Sequence, residues 1–539
     1  MKNGISYTGI LIFIIINQAA GQNWIRIYGD SINTVINSVI EHYDNGYVFS
    51  GERYNPGYTV YGWILKTDIN GNERWSKMFG NNSTIVRFFS SKPISNGGII
   101  EVGLHNVSTG CSDPLIIKTN ACGDKEWCKI YKAPYCYSTC YDISLLDDGG
   151  YMTLMDHWKS GEEETIWLFR LDSAGEVVWA QAYATDPDFS SEWSHSLLKT
   201  NDNCVLITGE AYYSDPTYPG KSILKIVLIK VTLDGEAVFE VPWGTDNGVY
   251  SDGRLSVIDT RNNIYTAGRR ARTNAPYGDS PCLFTTSKTG NPVFYTDLKS
   301  TSTLGIATTI DWFQDSTFAL CSQWKCSTGI DSTGVIKTDS LGNYINQIIF
   351  PDNYCFYGSD ITFNNKLLLG GVSYDSGYFH GCAIKLTSDL EYDSVYTTPY
   401  TYDSLCPHPI ASDTVSLDDC EVVIVGIDDP VQNPEKTMLH VYPNPAGSSL
   451  TVEMPEYLVR KWTSQGTGGV GITATTYYYQ WQSVRLDVFD LFGKLMYSQE
   501  IPAKTDKTNL DISSWPGGMY LARLVFMNDV VASVKFVKQ

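Results

Sequence analysis

Residues 141–183 alternate apolar and polar positions in short bursts that are cut by turn residues. "YDISLL" reads as a strand, "DDGG" as a turn and "YMTLM" as a second strand. "DHWKSGEEE" is then a polar loop, "TIWLFRL" a third strand, "DSAG" a turn and "EVVWAQAY" a fourth. A period of two marks strands, and Asp-Gly or Asn-Gly between such runs marks hairpins. The unit is therefore predicted to be four antiparallel strands.

That unit recurs along the chain. Its third turn appears as "KTDING" (66–71), "KTNACG" (118–123), "RLDSAG" (170–175), "KVTLDG" (230–235), "TTSKTG" (285–290), "KTDSLG" (337–342) and "KLTSDL" (385–390). The terminal positions are separated by 52, 52, 60, 55, 52 and 48 residues. Four positions after the Gly an aromatic returns at Trp75, Trp127, Trp179, Phe239 and Phe294, often as W-x-x-x-[FY]. Seven such units predict an all-β chain whose first part, residues 22–400, is a seven-bladed β-propeller. Asp68, Gly71, Trp75, Gly123, Trp127, Asp172, Gly175, Trp179, Asp339 and Gly342 are then joinery: turn, strand and aromatic tie. The phrase is similar to the Asp-box of sialidases and to the tryptophan-docking motif of quinoprotein dehydrogenases, and in both families that motif is structural. Two segments compete to close the ring, "WIRIYG" (24–29) and "EYDSVY" (391–396).

The repeat also sorts the loops. Asp/Gly turns join strands one to two and three to four, so they share one face. Connections between strands two and three, and between blades, share the other and are longer, richer in Tyr, Trp, Gly and Ser. On that long-loop face the ligand-binding candidates are Tyr54, Tyr58, Trp158, Tyr212, Tyr213, Arg269, Arg270, Arg272, Tyr277, Trp324 and Tyr378. Aromatic and Arg side chains on a rigid ring suit recognition of an extracellular glycan or protein.

Composition narrows the partners. The chain of 539 residues has 39 Lys+Arg against 59 Asp+Glu, a net charge of -20, which argues against nucleic acid and anionic membrane surfaces. The start, "MKNGISYTGILIFIIINQAAGQ", has Lys2, an apolar run Ile10–Ile16 and small residues before Gln22. This is the pattern of a secretory signal peptide over residues 1–21, and its apolar run is too short for a membrane span. No later segment is apolar enough to span. In an oxidising compartment the close pairs Cys136/Cys140, Cys321/Cys326 and Cys406/Cys420 are disulfide candidates. No C-x-x-C pair is present and the 7 His are scattered, so no metal or other cofactor is assigned.

No catalytic residue is assigned, because G-x-S-x-G, H-E-x-x-H and Walker patterns are missing. "DINGNE" (68–73) places Gly71 fourth, whereas an EF-hand loop needs Gly sixth. A hydrolase or lyase acting on surface polysaccharide through the propeller channel is the alternative to a binding protein.

After a turn-rich linker, set at 401–436, the strands of residues 437–539 are predicted to form a small Ig-like sandwich. Tyr442-Pro443-Asn444-Pro445-Ala446, "VFDLFGK" with Gly493 and Lys494, "GGMY" with Gly518 and Tyr520, and terminal Lys535 and Lys538 occur in that order. In these features the tail resembles the type A sorting domain of type IX secretion substrates, with an insertion at about 456–483. The resemblance implies the type IX secretion machinery as a partner. It also implies passage through the periplasm and across the outer membrane, ending secreted or on the cell surface.

Overall fold

Each repeat folds because its turns are closed by their own residues. In the computed structural model of the protein, Asp68 Oδ1 accepts the amides of Asn70 and Asn72, both at 2.8 Å. Asp172 does the same for Ala174 and Glu176, and Asp339 for Leu341 and Asn343. Gly71, Gly123 and Gly175 then take φ of +74°, +70° and +79°, which glycine adopts without strain. The Lys that opens the phrase reaches back to the blade's other hairpin turn: Lys66 to Asp44, Lys230 to Asp202 at 2.7 Å and Lys337 to Asp315 at 3.1 Å. Lys66 is fully buried, so its pairing with Asp44 is what makes that burial tolerable.

The structure describes residues 23–425 and 439–539, except 30–31, 56, 58, 108–110, 133–137, 158–164, 184–191, 215–221, 244–250, 272–278, 299–303, 326–330, 352, 376, 455–482, 492, 503–504, 506 and 527–528. The expected signal peptide lies outside them, as does nearly all of the expected insertion. Seven antiparallel sheets form the ring. Their innermost strands are Thr34–Glu41, Thr84–Pro93, Ser138–Leu145, Glu192–Lys199, Ser251–Ile258, Leu304–Trp312 and Tyr354–Ile361. Consecutive inner strands pack together, and the last packs against the first, which closes the circle. The closing strand is Ile25–Tyr28, added outside Tyr378–Leu386 as the fourth strand of blade 7. Residues 391–396 supply only single bridges, Leu386 with Tyr392 and Asn23 with Ser394.

The physical reason lies in Trp24. At five of the seven junctions the outer-strand aromatic of one blade rests on the glycine turn of the next; Gly342 meets Thr296 instead, and the blade 7 turn ends in Leu390. A Cβ on Gly123 would stand 3.0 Å from Trp75, and one on Gly175 would stand 3.0 Å from Trp127. Trp179 donates to Leu233 O at 3.2 Å beside Gly235. Trp24 is fully buried and donates to Ile69 O at 2.8 Å, docking blade 7 on the turn of blade 1. Four residues further on, Tyr28, Tyr131 and Tyr183 donate to the carbonyls of Gly71, Gly175 and Gly235 at 2.9, 2.7 and 2.7 Å. "EYDSVY" has no aromatic at the matching place.

Residues 401–425, set within the linker by sequence, are a strap bound to blades 1 and 2. Asp413–Val415 pairs in parallel with the outer strand Glu73–Phe79, and Glu421–Ile424 with Lys125–Lys132. Lys77–Asp413 (2.9 Å) and Lys129–Glu421 (2.7 Å) ion pairs accompany them. Disulfides Cys122–Cys406 and Cys128–Cys420 fasten the strap. This corrects the expected Cys406/Cys420 pair: the sheet edge, not sequence proximity, aligns each strap cysteine with a blade 2 partner. Cys140 and Cys321 are free buried thiols, so Cys136/Cys140 and Cys321/Cys326 are not bonded either. Both sit on strands whose pleat turns them into the blade cores. Cys136 and Cys326 themselves lie outside the described residues.

The tail is a two-sheet sandwich. His440–Tyr442, Ser449–Glu453 and Lys507–Asp511 form one sheet; Leu495–Pro502, Ser483–Asp490, Gly518–Phe526 and Asp529–Lys538 form the other. Leu450, Val452, Leu486, Val488, Leu524 and Phe536 fill the space between. The motif residues hold this sandwich. Asn444 accepts from the Val537 amide at 3.0 Å, the Lys494 amide donates to Asp490 at 2.9 Å, and Tyr520 donates to Pro516 O at 2.7 Å. Lys535 and Lys538 pair in register with Leu521 and Gly518, and Gly493 turns at φ +77°. Pro443 and Pro445 flank Asn444 between the first two strands of the tail.

Two expectations follow. Gly377 also has positive φ, but no atom lies within 4 Å of its added Cβ, so Gly377→Ala should cost about 1 kcal/mol. On Gly71 the Cβ would meet Trp24 at 2.8 Å and Arg26 at 2.6 Å, so Gly71→Ala should cost about 2–4 kcal/mol. Equal losses in urea unfolding would remove the docking argument. Replacing Cys122 and Cys406 together by Ser should lower stability by about 2–5 kcal/mol and expose the strap to protease before the blades. Simultaneous cleavage of strap and blades would show instead that they unfold as one.

Candidate functional site

The strands that line the channel share a defect. In every blade the inner strand carries a β-bulge at one repeat position, where a residue is skipped in the pairing. The skipped residues are Asn37, Phe89, Tyr141, His195, Arg254, Thr308 and Tyr357. A bulge re-aims its extra side chain, and here none of the seven is buried although its strand neighbours mostly are. Blade by blade they form a mixed ring around the channel. Phe89 and Tyr141 lie side by side with centroids 5.7 Å apart, and Tyr357 is exposed. On the next two blades after Tyr141, Arg254 Nη1 stands 3.2 Å from His195 Nε2.

The His195 side is the most polar part of the wall. Glu210, on the second strand of blade 4, places Oε1 3.4 Å from His195 Nε2. Burial alone would raise Glu210; His195 and the Arg254 and Arg269 guanidinia overcome that and hold it below the usual carboxylate range. Burial lowers His195, against the pull of Glu210, so the imidazole is neutral at pH 7. Above it, Trp193 meets Tyr212 edge-on at 5.6 Å. Across the channel, Arg87 pairs with Glu52 at 2.8 Å.

Toward the short-turn face the wall carries three carboxyls and a lysine. Asp311 and Asp360 occupy the same repeat position in blades 6 and 7, three residues after the bulge, and Lys92 occupies it in blade 2, paired with Asp142 at 3.3 Å. Glu41 ends the inner strand of blade 1, and its amide donates to Asp360 at 2.9 Å. Burial pushes Asp311 up to about 7, Asp360 to about 6 and Glu41 to about 7. Among the described residues, the groups of metal-ligating type are disulfide sulfurs with His408 or Asp419, and bonded sulfurs are not thiolate ligands.

The sequence candidates scatter over this frame. Tyr212 joins Trp193 near the channel mouth, whereas Tyr213, on the other face of the same strand, lies under the Lys225 ammonium at 5.3 Å. Arg269 faces Glu210, while Arg270 turns away to pair with Asp297 at 3.0 Å and stack on Tyr295 at 4.3 Å. The pleat thus splits what the sequence groups as an Arg cluster. Tyr54 ends the second strand of blade 1 half-buried, and Tyr378 is exposed in blade 7. Trp324 lies in the strand Phe318–Lys325. Tyr58, Trp158, Arg272 and Tyr277 lie outside the described residues.

His195, Arg254, Glu210 and Glu52 are missed by the loop-based search because they sit on strands. A signal for two of them was present: the residue after the second-strand Gly is Glu52 in "SGE", Glu210 in "TGE" and Arg269 in "AGR". The bulges have no such mark.

A seven-bladed propeller with a separate sandwich tail defines the class of protein. Residues 440–539 of that tail match the secretion system C-terminal sorting domain family. The protein is thereby one exported through type IX secretion to the cell surface or extracellular space, and the secretion machinery is its partner. No curated protein matches the chain. Among solved structures, a PL25 ulvan lyase bound to -[GlcA(1-4)Rha3S]- is 9% identical with a TM-score of 0.47, covering 67% of this chain and 96% of that one. A Dyadobacter fermentans protein of unknown function is 10% identical, TM-score 0.42, covering 57% and 95%. A streptogramin B lyase is 12% identical, TM-score 0.41, covering 67% and 97%. Likeness at this level concerns fold alone. Among the described residues no helix is long and apolar enough to cross a membrane.

The short-turn end of the channel gives a pH dependence. Unfolded, its carboxyls ionise near 3.8 for Asp and 4.5 for Glu; folded, they ionise near 6 to 7. Their contribution to stability is complete below the unfolded values and is lost as pH rises through about 6 to 7. Wild type should therefore lose melting temperature relative to Asp311→Asn between pH 5 and pH 8. Parallel melting curves at both pH values would refute the assignment.

Proposed function

We propose that the exported propeller is a binding protein that recognises an extracellular glycan or protein through its long-loop face. The observation that carries this is the bulge ring, which turns one side chain per blade into the channel and mixes aromatic, cationic and neutral polar groups there. Concave sites with aromatic walls and a few convergent polar groups are where ligands are held. Trp193, Tyr212 and Tyr213 all lie at the long-loop end of blade 4, the first two beside the channel mouth and Tyr213 on the other side of its strand, and offer flat apolar area with little rotamer entropy to lose.

A hydrolase or lyase is the second reading, and one observation favours it. His195, Glu210 and Arg254 converge on the channel, giving a neutral imidazole beside a carboxylate and a guanidinium, groups suited to proton transfer. Fragmentation of an acidic or neutral polysaccharide by wild type, lost in His195→Ala, would establish it.

For the binding reading, the full chain is tested on arrays of glycans and extracellular proteins. Alanine at Tyr212, Tyr213 and Trp193 should weaken a genuine ligand about tenfold or more. Unchanged binding by the triple variant would sink the proposed face.

A further inference from the structure

We infer that Lys66 and Asp44 join through an isopeptide bond, a covalent modification that ties the first hairpin turn of blade 1 to the end of its third strand. The inference comes from a comparison within the repeat. In three blades the lysine of the repeated phrase pairs with an aspartate of the other hairpin turn: Lys66 with Asp44, Lys230 with Asp202 and Lys337 with Asp315. In the last two the aspartate side chain is 48% exposed, so water solvates the pair. In blade 1 the lysine side chain is 0% and the aspartate 1% exposed. Three local differences seal it. Gly46 stands where blades 4 and 6 have Cys204 and Thr317, and a Cβ there would meet Lys66 Nζ at 2.8 Å. His42 stands where they have Thr200 and Phe313, with Nδ1 3.1 Å from Lys66 Nζ. The strap closes the outside, its Asp403 amide donating to Asp44 Oδ2 at 2.9 Å.

A dry ammonium–carboxylate pair has lost the hydration of both charges, and an amide in its place removes both charges. The groups that reaction needs surround the pair. Nζ touches Oδ1 and so stands one bond from the carboxyl carbon Cγ. An amine and a carboxyl fixed this closely act at effective molarities on the order of 10⁵ M or more. Burial lowers Lys66, which eases transfer of an ammonium proton to Oδ1 and leaves an amine facing a carboxylic acid. Burial raises Asp44 and the Lys66 charge overrides it to hold it low, a pull that disappears as the proton crosses. Nζ then attacks Cγ, and the negative charge that gathers on Oδ2 is held by the Asp403 amide. His42 is neutral, pushed down to about 4 by burial and by the Lys66 charge. Its Nδ1 accepts a second proton from Nζ and returns it to Oδ1, 3.8 Å away. Oδ1 leaves as water and the amide nitrogen keeps the third proton. One ammonium and one carboxylate thus give one amide and one water. Asp403 and Arg74, the other charges that act on Lys66, pair with each other at 3.5 Å.

The test is a tryptic mass map of the full chain, denatured and reduced before digestion. In wild type, trypsin should spare Lys66 and release residues 27–53 joined to residues 54–74, the pair lighter than its sum by one water. Cleavage after Lys230 and Lys337 should be normal, because water reaches those pairs. Lys66→Met and Asp44→Ala should each abolish the branched peptide. In His42→Gln, sampled over time after cell-free synthesis under oxidising conditions, joining should be about a hundredfold slower or more. A wild-type map with Lys66 cleaved and both peptides at full mass would overturn the bond, whether or not the variants fold. A water lost from residues 27–53 alone, with Lys66 cleaved, would mark a succinimide and overturn it equally. Joining at the wild-type rate in His42→Gln would overturn the proton route through His42.

Discussion

The ring depends on one contact made at five of its seven junctions: an outer-strand aromatic laid on the glycine turn of the next blade. No blade of four strands hides both its faces, so each must find cover on its neighbour. The glycine is needed twice, for a positive φ that closes the hairpin and for the absence of a Cβ where Trp75 or Trp127 arrives. The aromatic covers that bare backbone, and in blades 7, 2 and 3 a tyrosine four residues on bonds the glycine carbonyl. The phrase is repeated because the contact is repeated.

Closure is the same contact made by the chain's N-terminal strand. Trp24 buries itself against Ile69 and Gly71, which joins residues far apart in sequence into one more copy of the repeat. The strap answers a different need. Blades 1 and 2 carry Lys77 and Lys129 at positions where blades 3 and 4 have Gln181 and Val241. Those lysines, with Cys122 and Cys128, receive an acidic, cysteine-bearing segment as an added strand. A segment whose composition reads as linker is thus part of the folded edge, because its partners lie nearly 300 residues upstream (separations of 284 and 292).

With the ring rigid, the inner strands are free to be irregular. Seven bulges at one repeat position form the channel wall, and their side chains differ from blade to blade more than the joinery does. That division explains why ligand candidates drawn from loops and residues drawn from strands are not the same set. Arg270 looks like a site residue in sequence and serves as a tie to Asp297; His195 looks like an isolated histidine and stands between Arg254 and Glu210.

The sequence by itself determined the period, the strand and turn order, the seven blades and the sorting tail. Each of these is written in local pattern: alternation, Asp/Gly turns and an aromatic at fixed offset act within a few residues of one another. Tertiary structure alone decided three things. It chose Ile25–Tyr28 over residues 391–396, it paired Cys406 and Cys420 with blade 2, and it brought His195, Glu210 and Arg254 together. In each case the deciding contact joins segments whose proximity exists only once the circle has closed. Local pattern cannot encode which distant edge a strand will meet.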